Sequence, residues 1–167
     1  AIGASNYSAE RLAEALRVAD AGGLPRFTAM QPELNLLDRD QYEGALQQLC
    51  IAEGLGVVTY FSLASGYLSG KYRSADDLGK SPRGARAKAY LEGKGPAVLA
   101  AMDAIAAETG ATLSQIALAW VAAQPGVTAP IASATSVAQL DEIMDSETVT
   151  LTDLQLAALN EAGRGTA

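Results

Sequence analysis

An α/β fold, with a mostly parallel sheet and helices outside it, is what this sequence predicts, and three observations predict it. Short apolar or β-branched runs alternate with segments of helical spacing along the whole chain. The firmest strand, Gly56 to Phe61, reads Val57-Val58-Thr59-Tyr60-Phe61, a continuous run of the kind buried on both faces of a parallel sheet. Several helix starts carry side chains able to satisfy their free N–H groups, among them Thr112 with Gln115 and Ser136 with Gln139.

The elements follow in order. Ala1 to Ser5 is apolar without helical spacing and reads as a strand. Ser8 then caps a helix whose Leu12, Ala15, Leu16 and Ala19 share one face, and Gly22 and Gly23 end it. Phe27 to Met30 is the second strand. Asp38 or Asp40 is expected to cap the next helix, with Tyr42, Ala45, Leu46, Leu49 and Cys50 as its apolar stripe and Gly54 just past its end. After the strand 56–61 comes a stretch from Ser62 to about Gly95, rich in Gly, Ser and charge. It far exceeds the usual connection of about 4 to 6 residues and is expected to be functional or disordered. Pro96 suits the first turn of a helix through Val98, Leu99, Met102, Ile105 and Ala106 to Gly110, and Thr112 opens another through Ile116, Ala119, Trp120 and Ala123. Val127 to Ile131 is the fourth strand. Helices capped by Ser136, with Val137, Leu140, Ile143 and Met144 as its apolar positions, and by Thr152 with Gln155 complete the chain. Cys50 and Trp120 are expected in the core.

Composition bounds the function. At 167 residues and 17.2 kDa, with 49% hydrophobic and 19% charged residues, the chain is expected to be one globular domain over residues 1–167. It holds no run of about 18 apolar residues and no basic segment leading into an apolar one, so neither a membrane span nor a leader is expected, and a cytoplasmic protein is. One cysteine excludes an intramolecular disulfide. The absence of histidine removes the commonest metal ligand and the usual general base, which excludes zinc hydrolases and Ser/His or Cys/His nucleophiles, and no metal site is expected.

The net charge of −7 argues against nucleic acid as a partner. Seven of the twelve basic residues nevertheless lie between positions 71 and 94: Lys71, Arg73, Lys80, Arg83, Arg86, Lys88 and Lys94. Opposed only by Asp76, Asp77 and Glu92, they give that segment a net +4, against −11 for the remainder. A basic loop on an acidic body suits a small polyanion such as a nucleotide; a solvated loop with scattered charge is the alternative.

Four βα units are too few to close a (β/α)8 barrel of around 250 residues, yet a doubly wound sheet would ordinarily carry a phosphate fingerprint that is missing here. The polar residues Ser5-Asn6, Gln31, Tyr60 to Lys71 and Ser133 to Thr135 all fall at or just beyond the C-terminal ends of the expected strands, where barrels place their sites. Gly66-Tyr67-Leu68-Ser69-Gly70-Lys71 has three spacers between its glycines where a P-loop needs four, and Tyr72 stands where a hydroxyl should hold Mg²⁺. The weaker reading survives: glycines permit close backbone approach, free N–H groups can nest an anion, and Lys71 adds charge. Seen singly, Ser5-Asn6 reads more readily as a turn and Tyr60 as core, and Gln31 reads as well as a loop polar group.

Taken together, Ile2-Gly3-Ala4-Ser5-Asn6-Tyr7-Ser8, Gln31-Pro32-Glu33-Leu34-Asn35-Leu36, Tyr60 through Tyr72 and Pro130-Ile131-Ala132-Ser133-Ala134-Thr135-Ser136 stand in the order seen in bacterial aldo-keto reductases. The chain resembles the C-terminal half of such an enzyme, and the resemblance covers essentially all of it. It implies a parallel (βα)4 half of a TIM barrel, equivalent to strands five to eight, with an extra C-terminal helix. It also implies a nicotinamide dinucleotide as ligand, NADP(H) by family habit, and a role for residues 62–95 as a basic loop on the cofactor side.

By the resemblance, Ser5, Asn6 and Gln31 hydrogen-bond the nicotinamide carboxamide and Tyr60 stacks on the ring. Ser62, Leu63, Ser69 and Lys71 lie along the pyrophosphate, Ser133 and Thr135 approach the adenosine 2′-phosphate, and Gln139 meets the adenine side. Thr135 stands where many relatives carry Arg or Lys, and Ile143 where Asn is common, so NAD(H) is not excluded. The family's catalytic Asp, Tyr, Lys and His come from the other half of the barrel, no segment here matches them, and no catalytic residue is expected in this chain. A lone parallel half would leave sheet edges and an apolar face uncovered. Its expected partner is therefore the N-terminal half-barrel or a second copy of itself, a lone open, flavodoxin-like sheet being the third outcome, and the alternative role is a non-catalytic half-barrel that binds nucleotide or self-associates.

Overall fold

The computed structural model describes residues 1–80 and 84–165; Arg83 of the basic segment lies outside the described residues. Its sheet has four parallel strands, β1 (Ile2–Ser5), β2 (Phe27–Gln31), β3 (Gly56–Thr59) and β4 (Val127–Pro130), each beside its neighbour in sequence. A doubly wound sheet reverses direction at a switch point, whereas this order runs one way throughout and is consistent with part of a (βα)8 barrel.

Helices α1 (Ala9–Gly22) and α2 (Ala45–Ala52) connect the first three strands. Between β3 and β4 lie two short 3-10 segments, Ala64–Ser69 and Ala75–Lys80, followed by α3 (Gly84–Glu92), α4 (Gly95–Thr109) and α5 (Leu113–Ala122). After β4 come α6 (Val137–Asp145), a 3-10 turn Ser146–Thr148, and α7 (Asp153–Arg164). Among the described residues no helix is long and apolar enough to cross a membrane.

Local chemistry explains most boundaries. Ser8, Thr112 and Thr152 cap α1, α5 and α7, the last two in reciprocal boxes with Gln115 and Gln155, and Gly23 and Gly110 end α1 and α4 in the left-handed conformation. Two expectations about helix starts are corrected. Neither Asp38 nor Asp40 caps α2, which starts behind Gly44; the Asp38 backbone is instead drawn into a turn by the Asn35 side chain, and such local bonds compete with helix initiation. The capping box at α6 is only half formed, because Gln139 turns its amide oxygen to Thr135 rather than to the Ser136 backbone. The stretch 62–95 is largely helical among its described residues, with Arg73 gripping Asp103 of α4 in two bonds of 2.6 and 2.8 Å.

The sheet is buried on one face. Ala4, Met30, Val57 and Thr59 point into the core with Leu12 and Leu16 of α1, Leu46 and Cys50 of α2 and Ile116 and Trp120 of α5. The alternate positions Gly3, Ala29, Val58 and Ala129 are exposed or half-buried. The run 56–61 is thus not buried on both faces: the strand ends at Thr59, Tyr60 adds only an isolated bridge to Glu33, and Phe61, at φ +56°, turns out into solvent. The apolar stripe of α6 is also unburied, with Val137 74% and Met144 56% exposed. At the far side α7 closes on a buried polar knot. Arg39 bonds the Asn160 side chain at 2.9 Å and lies over the Trp120 ring, whose Nε1 donates to the same Asn160 oxygen.

Candidate functional site

The site is built where β1, β2 and β3 end. Ser5 and Gln31 are register partners, and the Ser5 hydroxyl donates to the Gln31 carbonyl at 2.9 Å and lies 3.4 Å from its side-chain oxygen. Asn6, the next residue, sits at φ +58°, a conformation that asparagine tolerates better than most residues, and this turns its side chain across the strand ends. There its Oδ1 accepts from the Tyr60 hydroxyl at 2.8 Å. Because β2 lies between β1 and β3, the Tyr60 ring spans the end of β2. Burial, and secondarily Glu33, push the Tyr60 phenol above its ordinary value, so it remains a donor at neutral pH. Ser5, Asn6, Gln31 and Tyr60 are therefore brought together, half-buried or exposed, offering amide and hydroxyl groups beside an aromatic face. That set suits a flat ring bearing a carboxamide, whose oxygen accepts and whose NH2 donates.

The segment after β3 is a chain of tight turns, with the Ala64, Gly66, Leu68 and Gly70 N–H groups bonded within it. Phe61, Ala64 and Ser65 all have positive φ, and Gly66 follows at φ +89°. Ser62 is buried with its hydroxyl 3.3 Å from the Thr59 carbonyl, and the Ser69 hydroxyl donates to the Gly66 carbonyl at 2.8 Å, so both face their own loop. Leu63 is half-buried, and its carbonyl accepts from Gly66 and Leu68. The exposed Lys71 lays its ammonium against Gly66, where a Cβ would stand 2.8 Å from Nζ; the flexible lysine can yield, and it is the φ of +89° that favours glycine at this position. Lys80 pairs with Asp77 and Lys88 with Glu92 within the segment, and the basic excess is further reduced by Asp103 of α4, which pairs with Arg73.

After β4, Ser133, Thr135 and Gln139 are exposed. The Gln139 amide oxygen accepts from both the Thr135 backbone N–H and its hydroxyl at 2.9 Å, closing that pair on itself. The Ile131 N–H donates to the Thr59 carbonyl at 2.7 Å, which keeps this loop's exit beside the end of β3, yet none of the bonds described ties it to Tyr60 or Asn6. Asn35, Asp38, Arg86 and Tyr90 are gathered around Phe61; the sequence suggested Asp38 only as a helix cap and Arg86 only as one of the basic residues, and gave no site role to Asn35 or Tyr90. An Asn three residues before an Asp is a turn signal by which the first two could have been found, whereas α3 brings Tyr90 to Asp38 from 52 residues along the chain.

Residues 1–164 match the Aldo/keto reductase family. The chain is 34% identical over 151 residues, 85% of its length, to a probable voltage-gated potassium channel subunit beta of Arabidopsis thaliana, covering 45% of that protein. It is 31% identical over 166 residues, 98% of its length, to Aldo-keto reductase AFTS1 of Alternaria alternata, covering 44%, and 33% identical over 165 residues, 95% of its length, to Protein tas of Escherichia coli, covering 46%. The chain thus spans about half the length of the curated relatives it matches. A sheet wound in one direction, polar and aromatic groups gathered at its strand ends, and a match over 1–164 lead to one conclusion: this chain belongs to the aldo/keto reductase family.

Proposed function

We propose that this chain is the cofactor-binding half of a bacterial aldo-keto reductase, equivalent to barrel strands five to eight, and that it serves nicotinamide-dependent carbonyl reduction in the cytoplasm when the barrel is complete. The single observation that carries this reading is the pair of hydrogen bonds Tyr60–Asn6 and Ser5–Gln31 at the strand ends. The residues fit the implied cofactor: Ser5, Asn6 and Gln31 would orient the carboxamide, Tyr60 would lie on the ring, and Ser62, Leu63, Ser69 and Lys71 would lie along the pyrophosphate, with Lys71 supplying the charge. When bound, the dinucleotide supplies hydride. This chain's own residues bind, orient one ring face and exclude water from the other; proton transfer is assigned to the complementary half, and no catalytic residue to this one. NADP(H) is the proposed form, with Ser133 and Thr135 on the 2′-phosphate and Gln139 on the adenine side. NAD(H) remains the competitor, because the Gln139 oxygen occupies the Thr135 donors.

Fluorescence titration of the purified, mass-verified protein with NADPH and with NADH tests this. Saturable binding that favours NADPH is expected. A folded sample that binds neither would overturn the reading in favour of a non-catalytic half-barrel.

The one-sided burial of the sheet supports a second component. Its uncovered face and its outer strands β1 and β4 are proposed to meet the N-terminal half-barrel or a second copy of this chain.

A further inference from the structure

Beneath the site, one buried amide joins segments distant in sequence. Asn35 is fully buried. Its Oδ1 accepts from the Leu37 and Asp38 N–H groups at 2.8 and 2.9 Å, while Nδ2 donates to Asp38 Oδ2 at 3.1 Å and to the Phe61 carbonyl at 3.2 Å. Both donors and both lone pairs of the amide are thus engaged. Phe61 directly follows Tyr60 and holds a left-handed conformation that aromatic residues rarely adopt, so its backbone needs external support.

Helix α3 reaches the same point by two routes. The Tyr90 hydroxyl donates to Asp38 Oδ2 at 2.6 Å from 52 residues along the chain. Burial and this hydrogen bond push the Tyr90 phenol up, so it stays a donor. The Arg86 guanidinium lies 5.1 Å over the Phe61 ring, which meets the Tyr60 ring edge-on at 5.2 Å between centroids. One route ends on the Phe61 carbonyl and the other on its ring.

We propose that Asn35, Asp38 and Tyr90 are positioning residues: docking of α3 through Tyr90 holds the Phe61 turn and thereby sets the Tyr60 ring in its bond to Asn6. The mechanical link stands on the geometry; only its effect on ligand binding rests on the reading of Tyr60 as a nicotinamide platform. An undocked α3 leaves Asp38 with one fewer donor, loosens the Asn35 amide that shares its carboxylate, and frees Phe61 to leave its left-handed conformation.

The test is amide hydrogen exchange of the ligand-free protein and its Tyr90→Phe variant, which keeps the ring beside Tyr67 and removes only the hydroxyl. The expected result is exchange at least about tenfold faster at the Ala64 and Gly66 amides, which close the turn onto Phe61 and Leu63, with α5 and α7 unchanged. Faster exchange confined to α3 overturns the proposal, since Tyr90 would then anchor only its own helix. A uniform rise across the molecule overturns it too. Titration with NADPH separates the two readings. Faster exchange at Ala64 and Gly66 in a protein whose parent binds no nucleotide upholds the link and removes the cofactor assignment. Faster exchange together with binding weakened about fivefold or more supports both.

Discussion

Asn6 does two things at once, occupying a left-handed position and accepting from Tyr60. Asn6→Ala loses both, and nucleotide binding is expected to weaken about tenfold. Asn6→Gly keeps the backbone freedom and loses only the amide, so a smaller loss for glycine, read in the same titration, separates conformation from chemistry. Tyr42 is fully buried and donates to the Pro125 carbonyl at 3.0 Å, and burial pushes its phenol up to about 12. A phenol whose folded value exceeds its unfolded one, about 10, favours the folded state below pH 10 and loses that contribution as pH rises towards 12. Thermal melts from pH 7 to 11 should therefore fall above pH 10. Tyr42→Phe should be less stable by about 0.5–1.5 kcal/mol at pH 7 but fall less steeply in that window. Of the residues in the site, Ser5, Asn6, Gln31 and Tyr60 were legible as polar or aromatic groups at strand ends. Asn35, Asp38 and Tyr90 were not, because a bond spanning 52 residues leaves no periodic trace.

Elements whose cause is local were readable in the same way: Ser8, Thr112 and Thr152 mark three helix starts by bonds to residues three positions on. The start of α2 was not, since two aspartates offered caps and the turn organised by Asn35 took precedence. Nor was α3, whose sequence is too charged for a strong apolar stripe and which buries only Gly84 and Ala87 among its residues. Close approach decides how α7 docks. A Cβ on Gly163 would stand 2.5 Å from the Leu36 carbonyl, a backbone atom with little freedom to yield. Gly163→Ala should push α7 off the Arg39–Asn160 knot and destabilise the protein by about 1–3 kcal/mol, measured as a lower urea midpoint. An unchanged midpoint would show that α7 shifts without loss.

At the scale of the molecule, the helices cover one face of the sheet and leave Gly3, Ala29, Val58 and Ala129 without comparable cover. A second copy on that face predicts a species of about 34 kDa that grows with concentration in sedimentation or size exclusion. Strictly monomeric behaviour at every concentration removes the second copy and leaves the complementary half-barrel. Charge is distributed less freely than its count along the chain. Arg73, Lys80 and Lys88 are tied into ion pairs, whereas the Lys71 ammonium lies against Gly66 in the segment after β3; Lys71 is expected to matter for a phosphate, and Lys71→Ala should reduce both nucleotide affinity and its dependence on salt.

Alternating periodicity, capping side chains and the motif order from Ser5 to Ser136 already specify an α/β chain of this family, because those signals arise between residues only a few positions apart. Which face of the sheet is buried, that Phe61 leaves the strand, and that α3 reaches back to Asp38 are settled only by the tertiary structure. Each depends on contacts between residues tens of positions apart, whose strength is set by packing and burial rather than by any local preference of the chain.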